Sequence, residues 1–425
     1  MRKLHLFEDR QSIVKAMPKK LVQKLDQLGL LYSNKQKVMF CGLMNFDDQV
    51  AVFLPRNSDF VEVNESSQKK VCVTLLNALK RYLDGKDNAI NADDLIDEGV
   101  YGKEYLGLIF ALFEDYFNNG LFTRRVSERK VNSGKIDWNR TIKQSIPYMS
   151  SDSPFYLELA GSIKRVYSNC ETARIHAEIL RKLDQKIGWL MNVDGAITKQ
   201  LIDVPVSLLD YEAKLYHLNL ELTRAYSDRD IFLIKQLINY LKLESISQQS
   251  DFSIGVKRFE GMWEHMLLKT LKNVFPINKK LAKPVYKING EFKLASRKGQ
   301  RTDIVLRDPE TSDFTVIDAK YYSAKSIETA PGWPDLVKQF FYAKAVKSIY
   351  PDSNVSNMFV FPGRAGLIKS VHMAEPSVNS IQEDDLLDNY DAIDCKYECP
   401  LFVIDIYNKH QKIDIANIST IKSSI

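Results

Sequence analysis

The sequence predicts an α/β (α+β) fold whose C-terminal part has a mixed central sheet flanked by helices. Three observations predict it. Beyond residue 254, segments with helical spacing alternate with short strand-like runs. Between residues 151 and 245, apolar residues keep an almost continuous helical spacing. At 425 residues the chain is long for one compact core, so we expect two or three domains.

Residues 1–150 are predicted to form a mixed α/β region. A helix-like segment at 11–29 is followed by two apolar runs that flank NFDDQ (45–49), a pattern typical of a β-hairpin. Apolar residues at helical spacing then predict helices over 69–84 and 103–118. The region therefore combines both types of element.

Residues 151–245 are predicted to form a helical middle region. The helical spacing is clearest in AEILRKLDQKIGWLM (177–191) and EAKLYHLNLELTRAY (212–226). The polar segment ESISQQSDFS (244–253) has no periodicity and is the best linker candidate in the chain. A C-terminal domain is therefore expected to span 254–425.

The C-terminal domain is predicted to begin with a helix over 256–273. A second helix is predicted over 335–349, and strands are predicted at NMFVFP (357–362) and PLFVIDI (400–406). Helix, strands, helix and strand in this order are typical of a domain with a mixed sheet.

Composition limits the classes of function. The chain is 45% hydrophobic and 27% charged, as in folded proteins, and its net charge of +5 permits an acidic partner without indicating one. The longest apolar run, LGLIFALF (106–113), is far shorter than the roughly 20 residues of a membrane-spanning helix. Five cysteines, an odd number, fit reduced thiols. We expect no membrane partner and a cytoplasmic location.

Acidic residues and a lysine are predicted to meet on one hairpin. The runs TDIVL and FTVID read as strands joined by the turn residues of RDPETSD. With the turn centred between Glu310 and Thr311, Asp303 faces Asp318. Because side chains alternate along a strand, Lys320 shares the face of Asp318. Two carboxylates and one ammonium are therefore expected on one patch.

This patch predicts metal-dependent hydrolysis. Carboxylates that face each other destabilise a hairpin unless a cation compensates, and hard oxygen ligands suit Mg²⁺. Such an ion activates water and neutralises charge on a phosphoryl group. Lys320 would orient that water or help to deprotonate it. The alternative is a solvated ion-pair cluster formed by Asp303, Asp318 and Lys320.

The pattern resembles the PD-(D/E)XK nuclease superfamily, in which an acid on one strand precedes acid-x-Lys on the next. The resemblance implies a glutamate on the preceding helix, RFEGMWEHMLLKTLKN, where Glu264 is the candidate and Glu260 its competitor. It also implies a catalytic-site role for Gln339 on the following helix. Thr302 stands where the superfamily name has proline.

The resemblance narrows to the LlaJI-type restriction endonucleases, relatives of McrC. It is carried by RTDIVL, VIDAKYY, PGWPDLVKQFFYAKA and, in the first half of the chain, SGKIDWNRTI. It implies a nuclease subunit of a bacterial defence system that cuts double-stranded DNA with a McrB-like AAA+ GTPase. A DNA methyltransferase would belong to the same system. Residues 1–150 would then contact the partner, with DNA as a second candidate.

Two further points concern partners. Cations in ASRKGQR, namely Arg297, Lys298 and Arg301, precede the first acidic strand and are candidates for holding DNA phosphates; a solvated loop is the alternative. The sequence contains no GxxxxGK[ST] loop, which agrees with a motor on another subunit. Two other functions stay open: a scaffold that activates a partner GTPase, and a stand-alone type II restriction enzyme.

Overall fold

A computed structural model describes most of the chain. The described residues are 4–13, 17–32, 34–47, 49–58, 65–87, 99–149, 153–191, 195–246, 252–295, 299–375 and 381–417. The chain divides into two compact units, one formed by Met1–Lys103 with Asp251–Ile425 and the other by Glu104–Ser250. This grouping differs from the three consecutive regions expected from the sequence.

The helices and strands alternate along the chain. The helices are α1 Lys19–Gln27, α2 Glu65–Asp87, α3 Lys103–Asn119, α4 Trp138–Gln144, α5 Glu171–Ile187, α6 Ala196–Gln200, α7 Tyr211–Arg224, α8 Asp228–Ile246, α9 Glu260–Thr270, α10 Trp333–Ile349 and α11 Pro400–Asn408. Single 3-10 turns lie at Gly188–Met191, Ile327–Thr329, Glu383–Asp385 and Ile415–Asn417. The strands are β1 Leu4–Glu8, β2 Cys41–Phe46, β3 Gln49–Leu54, β4 Val100–Tyr101, β5 Arg124–Val131, β6 Lys135–Ile136, β7 Tyr148–Met149, β8 Pro154–Phe155, β9 Ala160–Tyr167, β10 Ser253–Val256, β11 Val285–Ile288, β12 Glu291–Leu294, β13 Ile304–Arg307, β14 Phe314–Ala319, β15 Val355–Pro362, β16 Ser370–Val371 and β17 Ile393–Glu398.

The first unit contains a sheet of order β1-β3-β2-β10-β4. Strands β2 and β3 are antiparallel, which confirms the predicted hairpin around NFDDQ. Strand β10 joins the sheet from far along the chain and approaches β2 so closely that a Cβ on Gly42 would lie 2.2 Å from the Ile254 carbonyl oxygen. This pairing places residues 253–256 in the N-terminal sheet, although the sequence suggests a linker up to 253.

Helix α1 is shorter than the predicted segment 11–29. Pro18 directly precedes it, and the chain leaves it through Gly29 at a φ of +64°. Its buried residues, Leu21 and Leu25, pack into the apolar cluster under the first sheet. The hydrophobic spacing was correct, but the turn residues at both ends limit the helix.

The second sheet of this unit is mixed, as predicted. Its order is β13-β14-β15-β17-β16, with β13 and β14 antiparallel and with β14, β15 and β17 parallel. Helix α10 connects β14 to β15 and packs on both, as a crossover between parallel strands requires. Helix α9 packs on β14 from the preceding part of the chain. The predicted α/β (α+β) class is confirmed.

One predicted strand is wrong. PLFVIDI is not a strand but the first part of helix α11, which packs against α2 and α9. A helix buried on most sides shows an uninterrupted apolar run like that of a buried strand, so periodicity cannot separate the two. Pro400 at the first helical position was the signal for a helix.

The second unit has helices and a small sheet. Strand β9 pairs with β5 and β6, so residues 160–167 are extended where a helical middle region was predicted. The rest of that region is mainly helical, in α5 to α8. Arg229 holds Asp115 with two hydrogen bonds of 3.0 Å, joining α8 to α3. Within the described residues, no helix has both the length and the apolar character needed to cross a bilayer.

Candidate active site

The predicted hairpin register is confirmed. Strands β13 and β14 pair Ile304 with Ile317 and Val305 with Val316, so the next position sets Asp303 opposite Asp318. Asp303 lies one residue before β13, and its Oδ2 accepts a hydrogen bond of 3.0 Å from the backbone N–H of Ala319. The two aspartates therefore meet at the end of the buried part of the hairpin.

Lys320 lies between two carboxylates. Its Nζ is 2.7 Å from Asp318 Oδ2 and 2.5 Å from Asp335 Oδ1. Burial lowers the pKa of Lys320, but the charges and hydrogen bonds of the two carboxylates outweigh burial and raise it overall. The Tyr322 hydroxyl donates to the other oxygen of Asp335, at 3.2 Å. Lys320 is therefore an ammonium ion held in a fixed position.

Negative charge is crowded around Asp303. Burial raises its pKa to about 8, and the hydrogen bond with Asp318 and the negative charges of Asp318 and Glu264 raise it in the same direction. Lys338, whose Nζ lies 4.0 Å from Asp303 Oδ1, opposes this shift. Burial and the nearby carboxylates therefore both favour the protonated form of Asp303 when no cation is bound.

The two candidate glutamates on α9 have different surroundings. Glu260 forms an ion pair with Arg10 from the end of the first strand. Glu264, one turn later and half-buried, is close enough to Asp303 to raise its pKa. The structure thus brings Glu264 toward the aspartates, whereas Glu260 is bound to a different part of the unit.

Gln339 is fully buried between α10 and the sheet. Its Nε2 donates to the carbonyl oxygen of Val316 at 2.6 Å and to that of Met358 at 3.4 Å. These bonds join β14 to β15 just before β14 reaches Asp318. Gln339 therefore holds the backbone of β14, the strand that carries Asp318, and so helps to position that aspartate.

Tyr321 fixes the same strand end to the first sheet. Its hydroxyl accepts a hydrogen bond of 2.9 Å from the Arg56 backbone N–H and hydrogen-bonds the carboxylate of Asp9. Asp9 Oδ1 also accepts from the Phe40 backbone N–H at 3.1 Å, and Asp9 Oδ2 lies 3.4 Å from Arg10 Nε. Burial raises the pKa of Asp9 to about 7.

Two contacts at the site were not predicted from the sequence. Asp335 lies in the first turn of α10, where an acid is common for helix stability alone, so nothing singled it out. Thr302 is buried, and its N–H and hydroxyl both donate to Asn278 Oδ1, at 2.9 and 2.8 Å. These hydrogen bonds satisfy the buried polar groups of Thr302, so threonine is accommodated where the superfamily name has proline.

Of the three predicted DNA-contacting cations, Arg301 lies within the described residues. Arg297 and Lys298 lie outside the described residues. Arg301 is exposed and lies two residues before Asp303. Their role in binding phosphate stays a prediction.

The donor set fits a hard divalent cation. Over the described part of the chain, no three His, Cys, Asp or Glu side chains form a ready ligand cluster. The hairpin register brings Asp303 and Asp318 together as a pair. Mg²⁺ binds proteins through one or two carboxylates and keeps several waters, so the pair suffices. The pKa of Asp303 is raised by burial and by neighbouring negative charge, and a bound cation would offset both effects.

The chain is similar to restriction proteins. The family model described as LlaJI restriction endonuclease matches residues 40–371. The chain is 25% identical over 383 residues to the type II restriction enzyme BsuMI component YdjA of Bacillus subtilis (strain 168), covering 84% of this chain and 80% of that protein.

Two solved structures show a distant likeness. One is a chain in a refined half-complex from a tetradecameric assembly of Thermococcus gammatolerans McrB AAA+ hexamers with bound McrC, with 11% identity, a TM-score of 0.40 and coverage of 96% of this chain and 99% of that chain. The other is a chain in the Thermococcus gammatolerans McrBC complex, with 13% identity, a TM-score of 0.27 and coverage of 57% and 80%. Both TM-scores are low.

Proposed function

The chain belongs to the LlaJI restriction endonuclease family, and on this premise we propose that it is a Mg²⁺-dependent endonuclease that hydrolyses phosphodiester bonds in double-stranded DNA. The observation that carries the proposal is the meeting of Asp303, Asp318 and Lys320 at one hairpin end. A surface ion-pair cluster would be solvated, whereas the Asp318 side chain is 6% exposed and that of Lys320 is 12% exposed. Carboxyl groups buried beside each other are costly, and groups perturbed in this way cluster at functional sites.

Asp303 and Asp318 would hold Mg²⁺, and Glu264 would assist from α9. When bound, the ion supplies a nucleophilic water and neutralises charge on the phosphoryl group. The Asp303 carboxyl gives up its proton to become a ligand, so ion binding strengthens as the pH rises toward about 8. The surroundings of Asp303 therefore explain why its ligand role would depend on pH.

The Lys320 ammonium would stabilise negative charge that develops on the phosphate. Because both neighbouring carboxylates favour its charged form, it acts as a fixed cation rather than as a base. Asp335 and Tyr322 hold the ammonium in place, and Gln339 fixes the strand that carries Asp318. These three side chains are positioning residues.

The proposal extends to a McrC-like subunit whose motor is a separate McrB-like AAA+ GTPase. It is supported by the absence of a GxxxxGK[ST] loop from the sequence and by the relative being described as a component of a restriction enzyme. Residues 254–425 would carry the nuclease site, and residues 1–150 would contact the partner, with DNA as a second candidate. A methyltransferase would protect host DNA in the same system.

Cleavage assays test the proposal. Supercoiled and linear DNA are incubated with the full chain, with and without the GTPase and GTP, over a Mg²⁺ titration that ends in excess chelator. We expect cutting that needs Mg²⁺ and increases with the GTPase and GTP. Cutting without GTPase would indicate a stand-alone enzyme, and stimulated GTP hydrolysis without any cutting would indicate a scaffold.

A further inference from the structure

Strands β11 and β12 form a hairpin that belongs to neither large sheet. Among the described residues, these two strands pair only with each other, from Val285 opposite Leu294 to Ile288 opposite Glu291. The turn between them is formed by Asn289 and Gly290, which have positive φ of 53° and 87°. Every residue of both strands is exposed. A two-stranded hairpin with both faces exposed is marginally stable in water, so a bound partner would stabilise it.

The hairpin exposes large apolar side chains. The exposed fractions are 52% for Val285, 51% for Tyr286, 47% for Ile288, 73% for Phe292 and 60% for Leu294. Val285, Phe292 and Leu294 share one face, because residues directly opposite each other point the same way. A contiguous exposed apolar face marks an interaction site.

The same segment is strongly basic. Residues 279–294, called the basic arm here, carry five lysines and one acid: Lys279, Lys280, Lys283, Lys287, Lys293 and Glu291. Lys287 lies on the apolar face, 5.6 Å from the centre of the Phe292 ring. Glu291 is 3.9 Å from Lys293, so it offsets little of the arm's positive charge. The arm thus combines a cationic surface with aromatic side chains.

The segment that leads into the basic arm is tied to the candidate active site. The Asn278 side chain, just before the arm, donates to the Thr302 carbonyl oxygen and accepts from the Thr302 N–H, both at 2.9 Å. Thr302 is the residue before Asp303. Directly after the arm, the Ala295 N–H donates to the Pro284 carbonyl oxygen at 2.9 Å and closes the hairpin base. The base of the arm is therefore tied to the first acidic strand.

We infer that the basic arm binds the DNA duplex next to the cleaved phosphodiester, an inference that rests on the proposed nuclease function. The two lysines of the hairpin, Lys287 on the Phe292 face and Lys293 on the other face, contact backbone phosphates. The Phe292 face lies against the sugars and base edges of a groove. Charge decides the occupant: a polyanion is attracted by an arm with five lysines, whereas the arm of a second copy is repelled. The arm thereby places a phosphate at the site, as a positioning element.

DNA binding by the full chain tests the inference. A short fluorescein-labelled duplex is titrated by fluorescence anisotropy at several salt concentrations in chelator, so that no cutting occurs. Lys287→Glu with Lys293→Glu should weaken binding about tenfold or more and reduce the slope of log K against log salt by about 1.8, for two lost phosphate contacts. Phe292→Ala should weaken binding and leave the slope unchanged. The matched control is Lys199→Glu with Lys235→Glu, two exposed lysines in the second unit.

The outcomes separate this inference from the nuclease proposal. Asp318→Asn should bind DNA like the wild type without cutting it, and cutting by that variant would overturn the nuclease proposal alone. Wild-type affinity and slope in the double lysine variant would overturn the arm's role alone. So would a change only in sedimentation or in GTPase binding, which would assign the arm to a protein contact.

Discussion

Replacing buried Asp9 by asparagine should stabilise the chain above neutral pH. The pKa of Asp9 is raised from 3.8 to about 7, chiefly by burial. A difference of one in pKa is worth about 1.4 kcal/mol, so the ionised form costs at most about 4 kcal/mol of unfolding free energy. Asparagine resembles the protonated acid and avoids this cost, while its oxygen can still accept from the Phe40 N–H.

The direction follows from proton binding. Between about pH 4 and pH 7 the folded chain keeps a proton on Asp9 that the unfolded chain has released, so stability falls as pH rises through this window. Asp303 contributes a slope of the same sign up to about pH 8. Because Asp303 is common to wild type and Asp9→Asn, its contribution cancels in the difference between them.

Urea unfolding of metal-free wild type and Asp9→Asn, followed by tryptophan fluorescence over this pH window, measures the effect. We expect nearly equal stability at about pH 4 and an advantage of between about 1 and 4 kcal/mol for the variant above about pH 7. Asp352→Asn, at an exposed position, is the matched control. A variant less stable than wild type at high pH would show that the ion pair with Arg10 outweighs burial and would refute the reasoning.

Three further predictions concern the site and its support. Asp335→Asn should reduce kcat about tenfold with little change in KM for DNA, because Lys320 loses one of its two holding carboxylates; a KM effect alone would contradict this. Glu264→Gln should raise the Mg²⁺ concentration needed for cutting, whereas Glu260→Gln should leave it unchanged and affect only thermal stability. Gly42→Ala should abolish cooperative unfolding, seen by calorimetry, since its Cβ would lie 2.2 Å from a backbone oxygen.

The hairpin register was predictable because its information is local. Turn residues between the two runs fix the centre of the hairpin, and alternation then fixes which side chains share a face. The position of Asp303 opposite Asp318 follows from those two facts and agrees with the pairing of Ile304 with Ile317. The turn residues and the alternation of side chains were therefore enough to predict that Asp303 and Asp318 face each other.

Contacts between distant segments were not predictable in the same way. Asp335 contacts Lys320 because helix α10 begins at Trp333, after an irregular loop. The sequence alone does not fix the position in space at which such a helix begins. Strand β10 joins β2 across about half of the chain, and the local pattern of a single sequence gives no sign of such a pairing. The β11–β12 hairpin is different, because Asn289-Gly290 is a strong local turn signal from which the sequence alone predicts a hairpin.

The central claim is that Asp318 and Lys320 work together on a phosphodiester. The most direct measurement is the cleavage rate of Asp318→Asn and Lys320→Met with Mg²⁺ and the complete set of partners, beside Asp352→Asn and Lys344→Met as exposed controls. We expect each site variant to lose at least about a hundredfold in rate, while still stimulating the GTPase, and both controls to cut normally. Wild-type cutting by either site variant would contradict the account.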